Sequence, residues 1–132
     1  MTLQAVQEAL GCRVVTGEDR LAEEVKVGCG ADLMSDVLAF IKPQALLLTG
    51  LPTVQSVRTA DVAEVRAIVY VRGKQPEPAA VELARERGIV LLATGLPMYE
   101  ACGRLYARGL RGGSEVEADW SNGARTGIPS AL

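Results

Sequence analysis

Three short apolar blocks constrain the fold of this chain more than any other feature. They occupy positions 45–49, 67–71 and 89–93, and each is almost uninterrupted in aliphatic residues. Blocks of this length and composition are typical of strands buried on both faces. The intervening segments 53–64 and 77–87 carry apolar residues at helical spacing. Strands and helices that alternate with short joints predict an α/β fold, in which a small, mainly parallel sheet is flanked by helices on both faces.

Further elements are predicted on either side of these blocks. Four of them come first, at 3–10, 12–16, 25–29 and 33–41. The helix at 33–41 has apolar residues at the spacing of one buried face, namely Met34, Val37, Leu38 and Ile41. A last helix follows the third block, and its predicted inward stripe is Met98, Ala101, Cys102, Leu105 and Tyr106. The chain then becomes polar and glycine-rich, so we expect one α/β domain at 1–110 and a flexible tail at 111–132.

Composition narrows the possible chemistry. The chain has no histidine, which excludes Ser–His–Asp and Cys–His mechanisms and removes the commonest general base. With a formal net charge of −2, we expect no binding to nucleic acid, because such binding needs clustered cations. No apolar run approaches the ~20 residues of a membrane span, and no signal-peptide pattern is present. We therefore expect a cytoplasmic protein with three reduced cysteines, no membrane contact, no zinc and no cofactor.

A repeated tetrapeptide marks the candidate ligand site. Thr-Gly-Leu-Pro occurs at 49–52 and again at 94–97, each time between a predicted strand and a predicted helix. Ligands of open parallel sheets bind where the carboxyl ends of the strands meet, and exposed amides at helix starts favour anions. The residues expected to contact a small anionic ligand are Thr49, Gly50, Thr53, Gly73, Thr94 and Gly95. The alternative is that the tetrapeptide only punctuates the passage from strand to helix.

Two aspartates offer a different chemistry. Gly28-x-Gly30-x-Asp32 lacks the third glycine of a dinucleotide-binding fingerprint. Asp32 and Asp36 lie four positions apart at a predicted helix start, where they could bind a cation or act as an acid–base pair. That arrangement gives the alternative function of a metal-assisted enzyme acting on phosphoryl groups or nucleotides. The simpler interpretation is a helix cap followed by a solvated side chain.

The pattern from Asp32 to Tyr106 resembles the DRTGG-domain family. The segment 32–38, Asp-Leu-Met-Ser-Asp-Val-Leu, is similar to one found in its small stand-alone members, although the pentapeptide Asp-Arg-Thr-Gly-Gly is absent. Those members often place His or Asn near a helix start where this chain has Thr-Val-Gln-Ser at 53–56, so the resemblance adds Gln55 to the candidate ligand-binding residues. It implies a fold similar to the N-terminal domain of HPr kinase, and a role in regulation, dimerisation or metabolite binding.

The resulting expectation is a non-catalytic regulatory or ligand-sensing module that acts on a partner enzyme or kinase and forms a homodimer. Self-association is predicted from the helix at 33–41, which carries Leu33 and Phe40 outside its buried stripe. Alternatively, the first helix of the same chain could cover that face. A structural subunit of a larger complex remains the third functional alternative.

Overall fold

The three apolar blocks form the middle of a five-stranded sheet in the computed structural model, which describes residues 1–113. The strands are β1 (Arg13–Thr16), β2 (Val27–Gly30), β3 (Ala45–Thr49), β4 (Ala67–Tyr70) and β5 (Val90–Ala93). The helices are α1 (Leu3–Leu10), α2 (Met34–Phe40), α3 (Val54–Val62), α4 (Pro78–Arg87) and α5 (Met98–Ala107). The strand order across the sheet is β1-β5-β4-β3-β2. From residue 114 onward, the expected tail lies outside the described residues.

Strands β2 to β5 are parallel neighbours, and each is joined to the next by one helix. The three apolar blocks are therefore adjacent parallel strands, as predicted. Strand β1 pairs antiparallel with β5 and forms the edge of the sheet opposite β2. Its orientation was not predicted, because a short strand that follows a helix and a tight turn carries no sequence signal for the direction of its neighbour.

Alternating side chains from the central strands fill two cores, one on each face of the sheet. Leu46 and Leu48 pack on the face covered by α1 and α5. Leu47 and Ile68 pack on the face covered by α2, α3 and α4. All four side chains are at most 2% exposed, and burial on both faces explains why these strands are continuous apolar blocks. The predicted α/β fold with helices on both faces is confirmed.

Helix α1 matters for the site because its last carbonyl group reaches the sheet edge. The helix is only eight residues long, and both of its ends are capped. Thr2 Oγ1 accepts a hydrogen bond from the Ala5 N–H at 3.1 Å, while Gly11 ends the helix at a φ of 62°. Glycine adopts this left-handed conformation without steric cost.

The predicted buried faces of α2 and α5 are each wrong at one residue. Leu38 is 52% exposed and Tyr106 is 54% exposed, whereas Met34, Val37 and Leu105 are buried as predicted. Helix α2 contacts one other helix, α3, whereas α3 also contacts α4, so α2 lies at the end of this helix layer. A helical stripe identifies one face of a helix, but the breadth of the neighbouring elements decides how much of that face is covered.

None of the helices within residues 1–113 combines the length and the apolar character that a membrane-spanning helix needs.

Candidate functional site

Both Thr-Gly-Leu-Pro segments lie at the same edge of the sheet. We call them the first loop (49–52) and the second loop (94–97). Thr49 at the end of β3 is in register with Tyr70 in β4, and Tyr70 is in register with Ala93 in β5. Because these strands are parallel, their carboxyl ends face the same way. The prediction that the two loops share one edge is therefore confirmed.

The hydroxyl groups of the two repeated threonines are engaged inside the protein. Thr94 Oγ1 donates to the Leu10 carbonyl oxygen at 2.7 Å and accepts from the Leu96 N–H at 3.2 Å. Thr49 Oγ1 donates to Asp32 Oδ1 at 3.3 Å and accepts from the Leu51 N–H at 3.2 Å. Both side chains are buried. In this structure the two hydroxyls shape the loops rather than face a ligand.

Asp32 connects the start of α2 to the first loop. Its Oδ1 accepts a hydrogen bond from the Gly50 N–H at 2.7 Å, and its Oδ2 lies 3.4 Å from Arg72 Nη1. The Gly50 amide, and then the Arg72 charge, lower the pKa of this carboxyl group below its usual value. The expected helix cap is absent, because the N-cap of α2 is Leu33 and it makes no side-chain capping bond. Asp32 instead fixes the first loop.

Arg72 is the residue that joins the two loops. Its backbone N–H donates to the Leu96 carbonyl oxygen at 2.8 Å, in the second loop. Its guanidinium group lies over Gly50, in the first loop, so closely that a methyl group on Gly50 would overlap it. Arg72 also adopts a φ of 60°, which is uncommon for a residue with a side chain. One strand-end residue thus contacts both copies of the repeat.

The other predicted ligand-binding residues present accessible groups at this edge. The half-buried Thr53 precedes α3 without a capping bond from its side chain, and Gln55 is exposed. Gly73 and Gly95 are exposed, with open space where a side chain would begin. The Gly73 N–H donates to the Thr94 carbonyl oxygen at 3.0 Å, which holds this turn against the second loop. Four of the seven predicted residues are therefore at least partly accessible to solvent.

A buried hydrogen-bond chain supports the start of α3. Tyr70 Oη and Ser56 Oγ lie 2.8 Å apart, and Ser56 Oγ donates to the Thr53 carbonyl oxygen at 2.8 Å. Burial raises the pKa of Tyr70 to about 12, so this phenol stays protonated at neutral pH. It holds the loop backbone in place and has no accessible proton to exchange.

The weaker sequence motifs have structural explanations. A methyl group on Gly30 would come within 2.8 Å of Cys102 Sγ, and one on Gly28 within 3.3 Å of Leu110 Cδ2. These two glycines therefore allow α5 and the segment after it to pack against β2. Asp36 is exposed, and the guanidinium beside Asp32 disfavours a second cation there. Within residues 1–113, no group of three or more Cys, Asp or Glu side chains is arranged to hold a metal ion.

The contacts of Arg72 and the loop-fixing role of Asp32 were not predicted; of the turn after β4, only Gly73 was named as a candidate ligand contact. The available signal was a cation next to glycine at the end of the second apolar block. Sequence spacing could not show that its side chain reaches back over Gly50, since that depends on the parallel register of β3 and β4.

The chain is similar to known proteins in its fold and not in its sequence. No family model matches the chain, and no curated protein matches it. Among solved structures, the chain is similar to the regulatory region of Clostridium perfringens pyrophosphatase, containing CBS and DRTGG domains and complexed with the activator diadenosine tetraphosphate. The TM-score is 0.63 at 15% sequence identity, and the match covers 79% of this chain and 45% of that chain. This chain thus spans less than half of the matched region, and the likeness supports a DRTGG-related fold.

Proposed function

We propose that this chain is a non-catalytic regulatory module that senses a small anionic metabolite or nucleotide at the carboxyl edge of its sheet. The observation that carries the proposal is the position of Arg72, which contacts both repeated loops from the strand between them. An anion held by its guanidinium group would meet Thr53, Gln55, Gly73 and Gly95 around it. Thr49, Gly50 and Thr94 then serve to position these groups.

The chemistry of Arg72 suits an exchangeable anion. Its ion pair with Asp32 is long at 3.4 Å, and both side chains are nearly half exposed, so the pair contributes little to stability. A guanidinium group offers planar, paired N–H donors that match phosphate and carboxylate oxygens. Its left-handed backbone conformation costs free energy and is held by the bond to Leu96. A phosphate group could therefore take the place of the Asp32 carboxylate on Arg72.

The similar pyrophosphatase region supports the choice of ligand class and of partner. That region is regulatory, and its structure contains a dinucleoside polyphosphate activator. By analogy, we assign a phosphorylated ligand to the edge formed by the two loops and an enzyme as the regulated partner. The proposal includes a cytoplasmic location, which follows from the sequence expectations above.

Isothermal titration with diadenosine tetraphosphate, ATP, AMP and inorganic phosphate tests this proposal. A ligand at 100 times its dissociation constant stabilises the native state by about 2.7 kcal/mol, so a thermal-shift assay detects the same event. We expect Arg72→Gln to reduce the affinity of the best phosphate compound at least tenfold. The matched control Arg58→Gln, an exposed arginine on α3, should bind as the wild type does. Equal affinity in all three proteins, or no binding by any compound, would refute the proposal.

The proposed module is a homodimer that associates through α2. Leu33, Leu38 and Phe40 are 61%, 52% and 73% exposed, and they belong to the segment that follows β2, an edge strand of the sheet. Burying apolar surface of this kind against a second copy, most commonly with two-fold symmetry, is favourable. Phe40→Glu should give a folded monomer in light scattering, whereas Tyr99→Glu, on α5 across the sheet, should leave the dimer intact. A wild-type monomer at high concentration would disprove the dimer.

A further inference from the structure

A cavity of about 230 Å³ lies between β2 and α5, on the face of the sheet that α1 and α5 cover. Its floor is formed by Leu48, Leu105 and Leu110, which are at most 5% exposed. Gly30 and Tyr106, which are exposed, also line it and mark where it opens. None of the residues that line this cavity belongs to the proposed anion site.

Glycines form part of the cavity wall. Gly28, Gly30 and Gly112 all line the cavity, as do Leu110 and Cys102, which pack close to Gly28 and Gly30. The other lining residues are the three leucines of the floor, Tyr106, and the two cysteines Cys29 and Cys102. An apolar cavity of about 150 Å³ is large enough to bind benzene. A volume of about 230 Å³ therefore has room for one aromatic ring with a short side chain.

A cation lies next to two residues that line the cavity. Arg111 precedes the lining residue Gly112, and its guanidinium carbon lies 4.2 Å from the centre of the ring of Tyr106, which also lines the cavity, in a cation–π contact. The Arg111 carbonyl oxygen accepts a hydrogen bond from the Gly28 N–H at 2.9 Å, which fixes the backbone of this segment to β2. Within residues 1–113, Arg111 forms no ion pair with an acidic side chain.

The geometry points to a second ligand site, in which this cavity binds a small apolar carboxylate with its ring among the leucines and its carboxylate group on Arg111. The apolar floor supplies the affinity, since the ring leaves water for a space lined mainly by apolar atoms. The guanidinium group supplies the preference for an acid over a neutral analogue. The ligand class is a carboxylic acid of the size of 3-phenylpropionate.

Calorimetric titration of the full chain with 3-phenylpropionate and with 3-phenylpropanol tests both parts of this proposal. We expect the acid to bind more tightly than the alcohol by about fivefold, the range of an exposed ion pair. Arg111→Gln should remove that difference and leave the affinity of the alcohol unchanged. Arg108→Gln is the control, because the Arg108 guanidinium group contacts the Ala9 carbonyl oxygen. This variant should still bind the acid more tightly than the alcohol. Equal binding of acid and alcohol by the wild type would overturn the proposed role of Arg111.

Chemical modification of Cys102 locates the ligand. The Cys102 thiol lines the cavity, and burial raises its pKa, so it stays protonated and reacts slowly with methyl methanethiosulfonate. Saturating 3-phenylpropionate should slow its modification at least fivefold, measured by peptide mass spectrometry, with the buried Cys12 as the internal reference. Unchanged modification of Cys102 in the presence of bound ligand would show that the ligand lies elsewhere, and so would overturn the proposal.

A pair of glycine substitutions tests the cavity itself. Gly28→Ala adds a methyl group 3.3 Å from Leu110 Cδ2 and should lower the affinity for 3-phenylpropionate at least tenfold. Gly103→Ala, on the open side of α5 where a methyl group meets nothing within 4 Å, should leave it unchanged. Arg72→Gln should also leave it unchanged, which separates a failure of this site from a failure of the proposed anion site. Absence of binding by the folded wild type would overturn the proposal directly.

Discussion

Replacing Thr94 by valine separates a structural role of the repeated threonines from a role in binding. The substitution keeps the shape of the side chain and removes two hydrogen bonds, one to the Leu10 carbonyl oxygen and one from the Leu96 N–H. Leu10 is 3% exposed and Thr94 is 4% exposed, so water cannot readily replace the hydroxyl group at the Leu10 carbonyl. An unsatisfied buried polar group costs about 1–3 kcal/mol. The Leu96 amide is only half-buried and adds less than about 1 kcal/mol.

We therefore expect Thr94→Val to lower the free energy of unfolding by about 2–3 kcal/mol in a urea titration. Thr53→Val is the matched control, because the Thr53 side chain makes no capping bond, and its stability should stay within about 0.5 kcal/mol of wild type. The pattern of binding should be the reverse. Thr53→Val should weaken the binding of a phosphate compound, while folded Thr94→Val should bind almost normally. A Thr94→Val protein of wild-type stability that has lost binding would refute the assignment of this hydroxyl to the internal structure.

Three further substitutions test the account elsewhere. Asp32 has a lowered pKa, so it stabilises the protein above the unfolded-state pKa and ceases to do so as the pH falls through its folded-state pKa. Asp32→Asn should therefore lower the free energy of unfolding by up to about 1 kcal/mol at pH 7, and by progressively less as the pH falls through the folded-state pKa, in parallel urea titrations; a pH-independent effect would contradict this. Gly17→Ala should lower the free energy of unfolding by about 2–4 kcal/mol in the same assay. Gly17 has a φ of 85°, and a methyl group there would lie 2.6 Å from Val90 Cγ2. Tyr70→Phe should cost about 1–1.5 kcal/mol by removing the bond to Ser56, and an unchanged midpoint would show that this bond contributes nothing.

The central strands could be predicted from sequence because the local pattern and the tertiary environment agree. Ala45–Thr49 was predicted with its observed ends, since five consecutive apolar or small residues suit a strand buried on both faces. The breadth of burial on the outer helices could not be predicted in the same way. Leu38 follows the helical spacing of Met34, yet it is half exposed because α2 lies at the edge of the helix layer.

The location of the candidate site could also be predicted from sequence, whereas the roles of its individual residues could not. The repeat at 49–52 and 94–97 indicated that two loops meet at one edge, because parallel strands bring their carboxyl ends together. The roles of the individual groups depend on distances that no sequence pattern contains. The Thr94 hydroxyl donates to the end of α1, about eighty positions earlier in the chain, and the Arg72 guanidinium reaches from the end of β4 to Gly50, which follows the neighbouring strand β3.

The most direct test of the anion site is a backbone-amide NMR titration of the full chain with diadenosine tetraphosphate. We predict saturable shifts for the amides of Gly50, Gly73 and Gly95, which surround Arg72. The amides of Gly17 and Gly88, at the opposite edge where β5 begins, should not shift. In Arg72→Gln the shifts should need at least tenfold more ligand. Shifts centred on Gly17 and Gly88, or a spectrum that stays unchanged at saturating ligand, would contradict the proposal that this edge senses a phosphorylated compound.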